Sequence, residues 1–269
     1  MKSLKHTKFF LVTLVLLITG VVLALTTSTV MAGPKWEQRC STLKPESGNE
    51  VKAPEFEVIL GKDSVTVRGS SYISPGGIFN GVEWAIDLEN CSYQTKRIAI
   101  SNKPADDNTV NDERWYEKTV SEGEQAVTSP TGNYLAGIKI VTKDPPGYWL
   151  AATTHKLYWT TYSNGTVQWY RFVKGCTGYT TPLNTHWYVS SCQWLNENPY
   201  YSSNRRYVYS RIRGSYYNYD FLDPNQRTNA IHYSKITGRN DGSWVHEWSA
   251  THSGEFYWLL RGEVVPDYP

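Results

Sequence analysis

Methionine is almost missing from this chain, which has two, Met1 and Met31, so a flexible methionine-lined groove is excluded. Charge of one sign is missing as well. The 27 Lys+Arg residues nearly balance 25 Asp+Glu, for a formal charge of +2, and this balance argues against nucleic acid as an obligate partner. There is no Gly-x-Ser-x-Gly elbow, no phosphate loop, no helical His-Glu-x-x-His and no calcium loop of regular form. Nothing in the sequence asks for a cofactor. An amphipathic helical pattern of about ten residues or more is not found beyond the first segment.

One long apolar run is present, Phe9 to Leu25. It follows Lys2, Lys5 and Lys8 and leads to Val30-Met31-Ala32, the three-part order of a secretory leader. The run is interrupted by Thr13, Thr19 and Gly20 and is marginal against the roughly 20 residues that span a bilayer. Residues 1–32 are therefore expected to be a cleaved signal peptide, with membrane attachment arising only if the leader is retained. Cleavage removes three lysines and no acid, which leaves the secreted chain close to neutral.

Cysteine is sparse but even in number: Cys40, Cys91, Cys176 and Cys192. In an oxidising compartment four cysteines read as two disulfides. The expected pairs are Cys40–Cys91 and Cys176–Cys192, each lying within one compositional half. A zinc site is the competing reading, and the cysteines lack the close spacing of a structural finger.

Aromatic residues are plentiful and uneven. Of 11 Trp and 20 Tyr, 8 Trp and 15 Tyr fall between Tyr148 and Trp258. The first half alternates polar and apolar residues in short runs at 55–60, 64–68, 82–88, 96–100 and 135–142, separated by turn residues such as Pro75-Gly76-Gly77 and Pro145-Pro146-Gly147. Residues 101–113 read as a polar loop. Asn164-Gly165 between two alternating segments predicts a hairpin with a two-residue turn, both residues at positive φ, placing Trp159 opposite Tyr170. Further runs at 205–213, 216–221, 230–237, 244–250 and 256–264 read as a meander with turns at Asn240-Asp241-Gly242 and Ser253-Gly254. Residues 174–204 read as a long loop pinned by the second disulfide.

The fold class that follows is all-β: a disulfide-stabilised, antiparallel β-sandwich-like protein of one or two units with little or no helix after the leader. The division expected is residues 33–175 as a sandwich-like domain and 176–269 as an aromatic-rich meander that can continue the same sandwich.

Candidate functional residues concentrate in Arg205–Arg213. In a strand, Arg205, Tyr207, Tyr209, Arg211 and Arg213 share one face while Val208 and Ile212 point inward. Tyrosine rings flanked by guanidinium groups can stack on sugars and grip carboxylate or sulfate. The alternative is a solvated face on which Arg and Tyr stack on one another.

Beyond His6, the histidines are His155, His186, His232, His246 and His252. A turn at Ser253-Gly254 would set His252 opposite Glu255 and His246 opposite Arg261, an acid–base–anion arrangement suited to hydrolysis. The reading preferred over this is His246, between Trp244 and Trp248 on the same strand face, as a packed core residue satisfied by a neighbour. Asp220, Asp223, Glu247 and Glu255 are possible glycosidase carboxylates, and Pro104–Asn108 is an acidic turn. The leading expectation is a secreted, non-catalytic module binding carbohydrate, acidic glycan best explaining the arginines. A secreted hydrolase and a structural or adhesive surface protein are the alternatives.

Overall fold

The computed structural model describes residues 40–48, 55–98, 109–119, 129–182, 185–195, 199–219, 221–222 and 226–267, with backbone only for 109–113. The expected leader (residues 1–32), the turn expected at Pro104–Asn108, Asp220 and Asp223 lie outside the described residues. Residues Gln38–Pro269 form one compact unit.

The unit is all-β, in two sheets. The strands in chain order are β1 (Lys44–Pro45), β2 (Phe56–Gly61), β3 (Ser64–Ile73), β4 (Gly81–Asp87), β5 (Ser92–Ile98), β6 (Thr109–Thr119), β7 (Pro130–Lys143), β8 (Trp149–Tyr162), β9 (Val167–Thr180), β10 (Tyr188–Trp194), β11 (Tyr200–Tyr201), β12 (Tyr207–Asn218), β13 (Thr228–Arg239), β14 (Trp244–Gly254) and β15 (Arg261–Pro266). The first sheet runs β1-β5-β4-β15-β7-β8-β9-β6 and the second β10-β12-β13-β14-β3-β2, with β11 also on β12. Every pairing is antiparallel except β1 with β5. β9 passes through residue 175 unbroken, and β15 lies between β4 and β7, so the two compositional halves share both sheets.

Alternation puts one face of each sheet inside. The facing tryptophans Trp84 of β4 and Trp248 of β14 stack at 5.0 Å. Each lies over a cross-strand glycine, Gly262 and Gly69, where a Cβ would collide with the indole. A second apolar cluster holds Leu150, Trp187, Val189, Tyr216, Phe221 and Leu260. The Cys176–Cys192 disulfide joins β9 to β10, and so one sheet to the other; Cys40–Cys91 ties the start of the unit to the β4–β5 turn.

The structure departs from the sequence reading at five places. The hairpin after β8 closes with three residues, Ser163-Asn164-Gly165: Tyr162 N donates to Thr166 O, and of the two expected positive-φ positions only Gly165 is left-handed, at +77°. Asn164 Oδ1 accepts from the Thr166 amide and hydroxyl, which holds Asn164 in an ordinary conformation; Trp159 therefore faces Trp169. Residues 174–204 contain the end of β9, then β10 and β11, in place of a long loop. The runs 205–213 and 216–221 are largely one strand, β12, because Gly214 continues it inward instead of turning. The backbone of 109–113 belongs to β6 rather than to a loop. Finally, no hairpin forms at Ser253-Gly254: the chain passes through a short 3₁₀ turn at Tyr257–Leu259 into β15 of the other sheet.

Candidate functional site

Two sets of polar residues stand out, one on the outer face of the second sheet and one buried between the sheets.

On β12, Val208, Ser210 and Ile212 are buried, which turns Tyr207, Tyr209, Arg211 and Arg213 outward. Arg205 falls before the strand, in the turn between β11 and β12, at a φ of +53°. It stacks over Tyr201 at 5.0 Å instead of extending the row. Antiparallel pairing then adds neighbours that sequence reasoning missed. Tyr200 of β11 stacks on Tyr209 at 4.7 Å, and the Arg211 guanidinium lies 4.8 Å from the Tyr200 ring. Arg239 of β13 sits between Tyr72 of β3 (5.3 Å) and Tyr207 (5.7 Å). Lys235 approaches Tyr209 at 5.8 Å and pairs with Glu247 across β13 and β14. Burial holds the Tyr233 phenol above its ordinary value even though it bonds to Arg211. Glu247 is the one carboxylate at the outward positions of β12, β13 and β14 among the described residues. The result is a cationic surface paved with tyrosine rings, each ring held by a guanidinium or a second ring.

Inside, β13 carries His232 and Ser234 between Ala230 and Ile236, and β8 carries Thr153 and His155 between Ala151 and Leu157. These polar positions form a band between the two apolar clusters. His155, His232, His246 and His252 are fully buried. His155 Nε2 bonds to Ser210 Oγ (2.7 Å) and Nδ1 to Ser234 Oγ (2.9 Å), and Ser234 Oγ reaches His246 Nε2 (3.0 Å).

A second chain runs His252 Nε2, Thr142 Oγ1, His232, Thr153 Oγ1, Tyr216 Oη, Ala152 O, with links of 3.0, 2.8, 3.0, 2.5 and 2.6 Å. The direction of this chain is fixed at its end. A carbonyl only accepts, so Tyr216 donates to Ala152 O; each hydroxyl has one proton, so Thr153 donates to Tyr216 and accepts from His232 Nδ1–H. His232 Nε2 then accepts from Thr142, which accepts from His252 Nε2–H. His252 Nδ1, which has no partner, is left as a bare lone pair instead of a buried N–H. Burial pushes His232, His246 and His252 down to about 3 and His155 well below its ordinary value. All four imidazoles are thus neutral at physiological pH.

The expected hydrolytic constellation is not assembled. His246 faces Ile236 and Ser71, and His252 faces Ala230 and Val65. Glu247 points to the opposite face, while Arg261 lies in the other sheet against Lys143. The reading of His246 as a packed residue between Trp244 and Trp248 matches its burial. With every cysteine in a disulfide, none is a thiolate ligand. No helix among the described residues is long and apolar enough to cross a membrane.

No family model, curated protein or solved structure matches this chain. What the fold and the two polar sets define is a class: a disulfide-bonded, all-β, two-sheet protein with aromatic clusters, an architecture compatible with an extracellular binding module and with the oxidising environment that disulfides need.

Proposed function

We propose that this protein is a secreted, non-catalytic module that binds an acidic carbohydrate on the outer face of β12 and β13. The observation that carries the reading is the paving of that face: Arg211 and Arg239 are each held against tyrosine rings. A guanidinium stacked on a ring has little side-chain freedom left to lose on binding, and its positive charge and planar shape suit carboxylate or sulfate. Exposed ring area beside it suits the apolar face of a sugar.

The test is retention of the protein on immobilised heparin, alginate and neutral dextran. The expected outcome is retention on the acidic polymers at low salt, released by added salt, and lost in the Arg211→Ala/Arg213→Ala double variant whose melting temperature stays near that of the parent. Equal retention of the double variant would sink the assignment to this face. Absence of retention on every polymer would leave Arg–Tyr packing as the whole role of these residues, as in a structural surface protein.

A further inference from the structure

β12 continues well beyond the row described above, and its far end carries a second cation–aromatic cluster. Tyr217 stacks on Tyr188 of β10 at 5.4 Å and meets Tyr219 edge-on at 5.1 Å. The Arg227 guanidinium lies 4.8 Å from the Tyr217 ring and 5.6 Å from Tyr219. Tyr188 is 39% exposed and Tyr219 52%.

Both clusters lie on one face. Tyr217 shares the odd-numbered side of β12 with Tyr207, Tyr209 and Arg211, its cross-strand partner is Asn229, and Arg227 Nε donates to Asn229 Oδ1 at 2.7 Å. Midway between them stands the exposed Arg213, opposite Tyr233. Ten residue steps from Tyr207 to Tyr217 make the track roughly 33 Å long. Its cations are Arg239, Lys235, Arg211, Arg213 and Arg227, and Glu247, on Lys235, is the one acid at the outward positions of β12, β13 and β14 among the described residues.

We infer that the ligand is a linear polyanionic glycan laid along β12 and gripped at both ends, with Tyr188, Tyr217, Tyr219 and Arg227 forming the second contact. This rests on the reading under Proposed function and deepens it. Charge complementarity selects the polymer: cations repeated along one strand direction match anions repeated along a chain, whereas a mono- or disaccharide would fill one cluster and leave the other idle. Once one end is bound, the other binds at high effective concentration, so affinity should climb with chain length until the chain spans the track.

The experiment measures binding of size-fractionated heparin oligosaccharides, from disaccharide to dodecasaccharide, to the full chain and to two variants, Arg227→Ala/Tyr219→Ala and the milder Arg227→Gln. For the parent protein, affinity should rise about tenfold or more with length and then level off. Both variants should bind the shortest oligosaccharides like the parent and lose most of the gain with length, the exposed positions leaving the melting temperature unchanged. Affinity independent of length in the parent, or an undiminished gain in both variants, would overturn the second contact while leaving the first face standing. No binding at any length would overturn the acidic-glycan reading itself, and the track with it.

Discussion

Ser234 stands between two buried imidazoles, and its hydroxyl is their shared partner. Replacing it with alanine strands His155 Nδ1 and His246 Nε2 where water does not reach, a loss of about 1–3 kcal/mol. Urea unfolding of Ser234→Ala at pH 8 should show that loss, while Ser249→Ala on the outer face of the same sheet should stay within about 0.5 kcal/mol of the parent. Equal stability of both variants would mean the buried bonds contribute nothing net. Gly214 makes the complementary point about space. It faces inward beside the Thr153–Tyr216 pair, and a Cβ there would lie 2.3 Å from Thr153 Oγ1 and 2.7 Å from Tyr216 Oη. Gly214→Ala therefore has to push apart the end of the hydrogen-bond chain and should cost about 1–3 kcal/mol in the same assay. An unchanged midpoint would show that the pair can shift without loss.

At the scale of elements, the disulfide between β9 and β10 is the covalent tie between the sheets, closing a separation of 16 residues. Chain entropy assigns such a loop about 3 kcal/mol. The Cys176→Ala/Cys192→Ala variant should lose about 2–4 kcal/mol in urea with an unchanged fold by circular dichroism; a loss near zero would mean that the interdigitated core alone fixes β10. The expected pairing followed from the compositional halves, and the structure has it. The strand pattern was legible wherever inward positions are apolar, as at Val208 and Ile212 or Val65 and Val67. The strand at 230–237 was legible as well, but its buried face was not, because there the pattern inverts. On β13 the inward residues are His232 and Ser234 and the outward ones Ile231 and Tyr233, so polarity alone names the wrong face. Turn chemistry misled twice, at Asn164-Gly165, where the Asn164 side chain accepts from Thr166 and leaves only Gly165 at positive φ, and at Ser253-Gly254, where long-range pairing of β14 with β3 outweighs a local hairpin. The outward row on β12 could be read from one segment, but Tyr200, Tyr72, Arg239 and Tyr233 join it through pairings between distant parts of the chain. For the same reason His155, from the first half, enters the buried band, while His186 stays outside it beside Thr180.

For the whole molecule, the buried band makes stability depend on pH. In the folded state His232, His246 and His252 stay neutral down to about 3, because burial disfavours the charged ring. Their surroundings supply hydroxyls from β7, β8, β12 and β13, the other imidazoles and aromatic rings from β10 and from the Phe79 segment. No carboxylate bonds to any of the four rings among the described residues. In the unfolded chain each histidine takes up a proton near pH 6.5. Between that pH and about 3 the unfolded state holds more protons, so stability is fully present above 6.5 and falls as pH drops. Each ring contributes about 1.4 kcal/mol per pH unit, so these three together remove roughly 4 kcal/mol per unit, and His155 adds to the loss. Asp144 and Glu263 act the other way. Burial raises them in the folded state, and they offset part of the loss once pH approaches the carboxylate range. Against a typical domain stability of about 5–15 kcal/mol, the fold should fail near pH 4–5. Urea titrations from pH 8 to 5 would trace this: a flat free energy above pH 7, a steep decline below 6.5, and a slope shallower by one proton in His252→Gln. A midpoint that does not move between pH 7 and 5 would mean the buried rings bind protons in the folded state, against the neutral network that the Ala152 carbonyl orients.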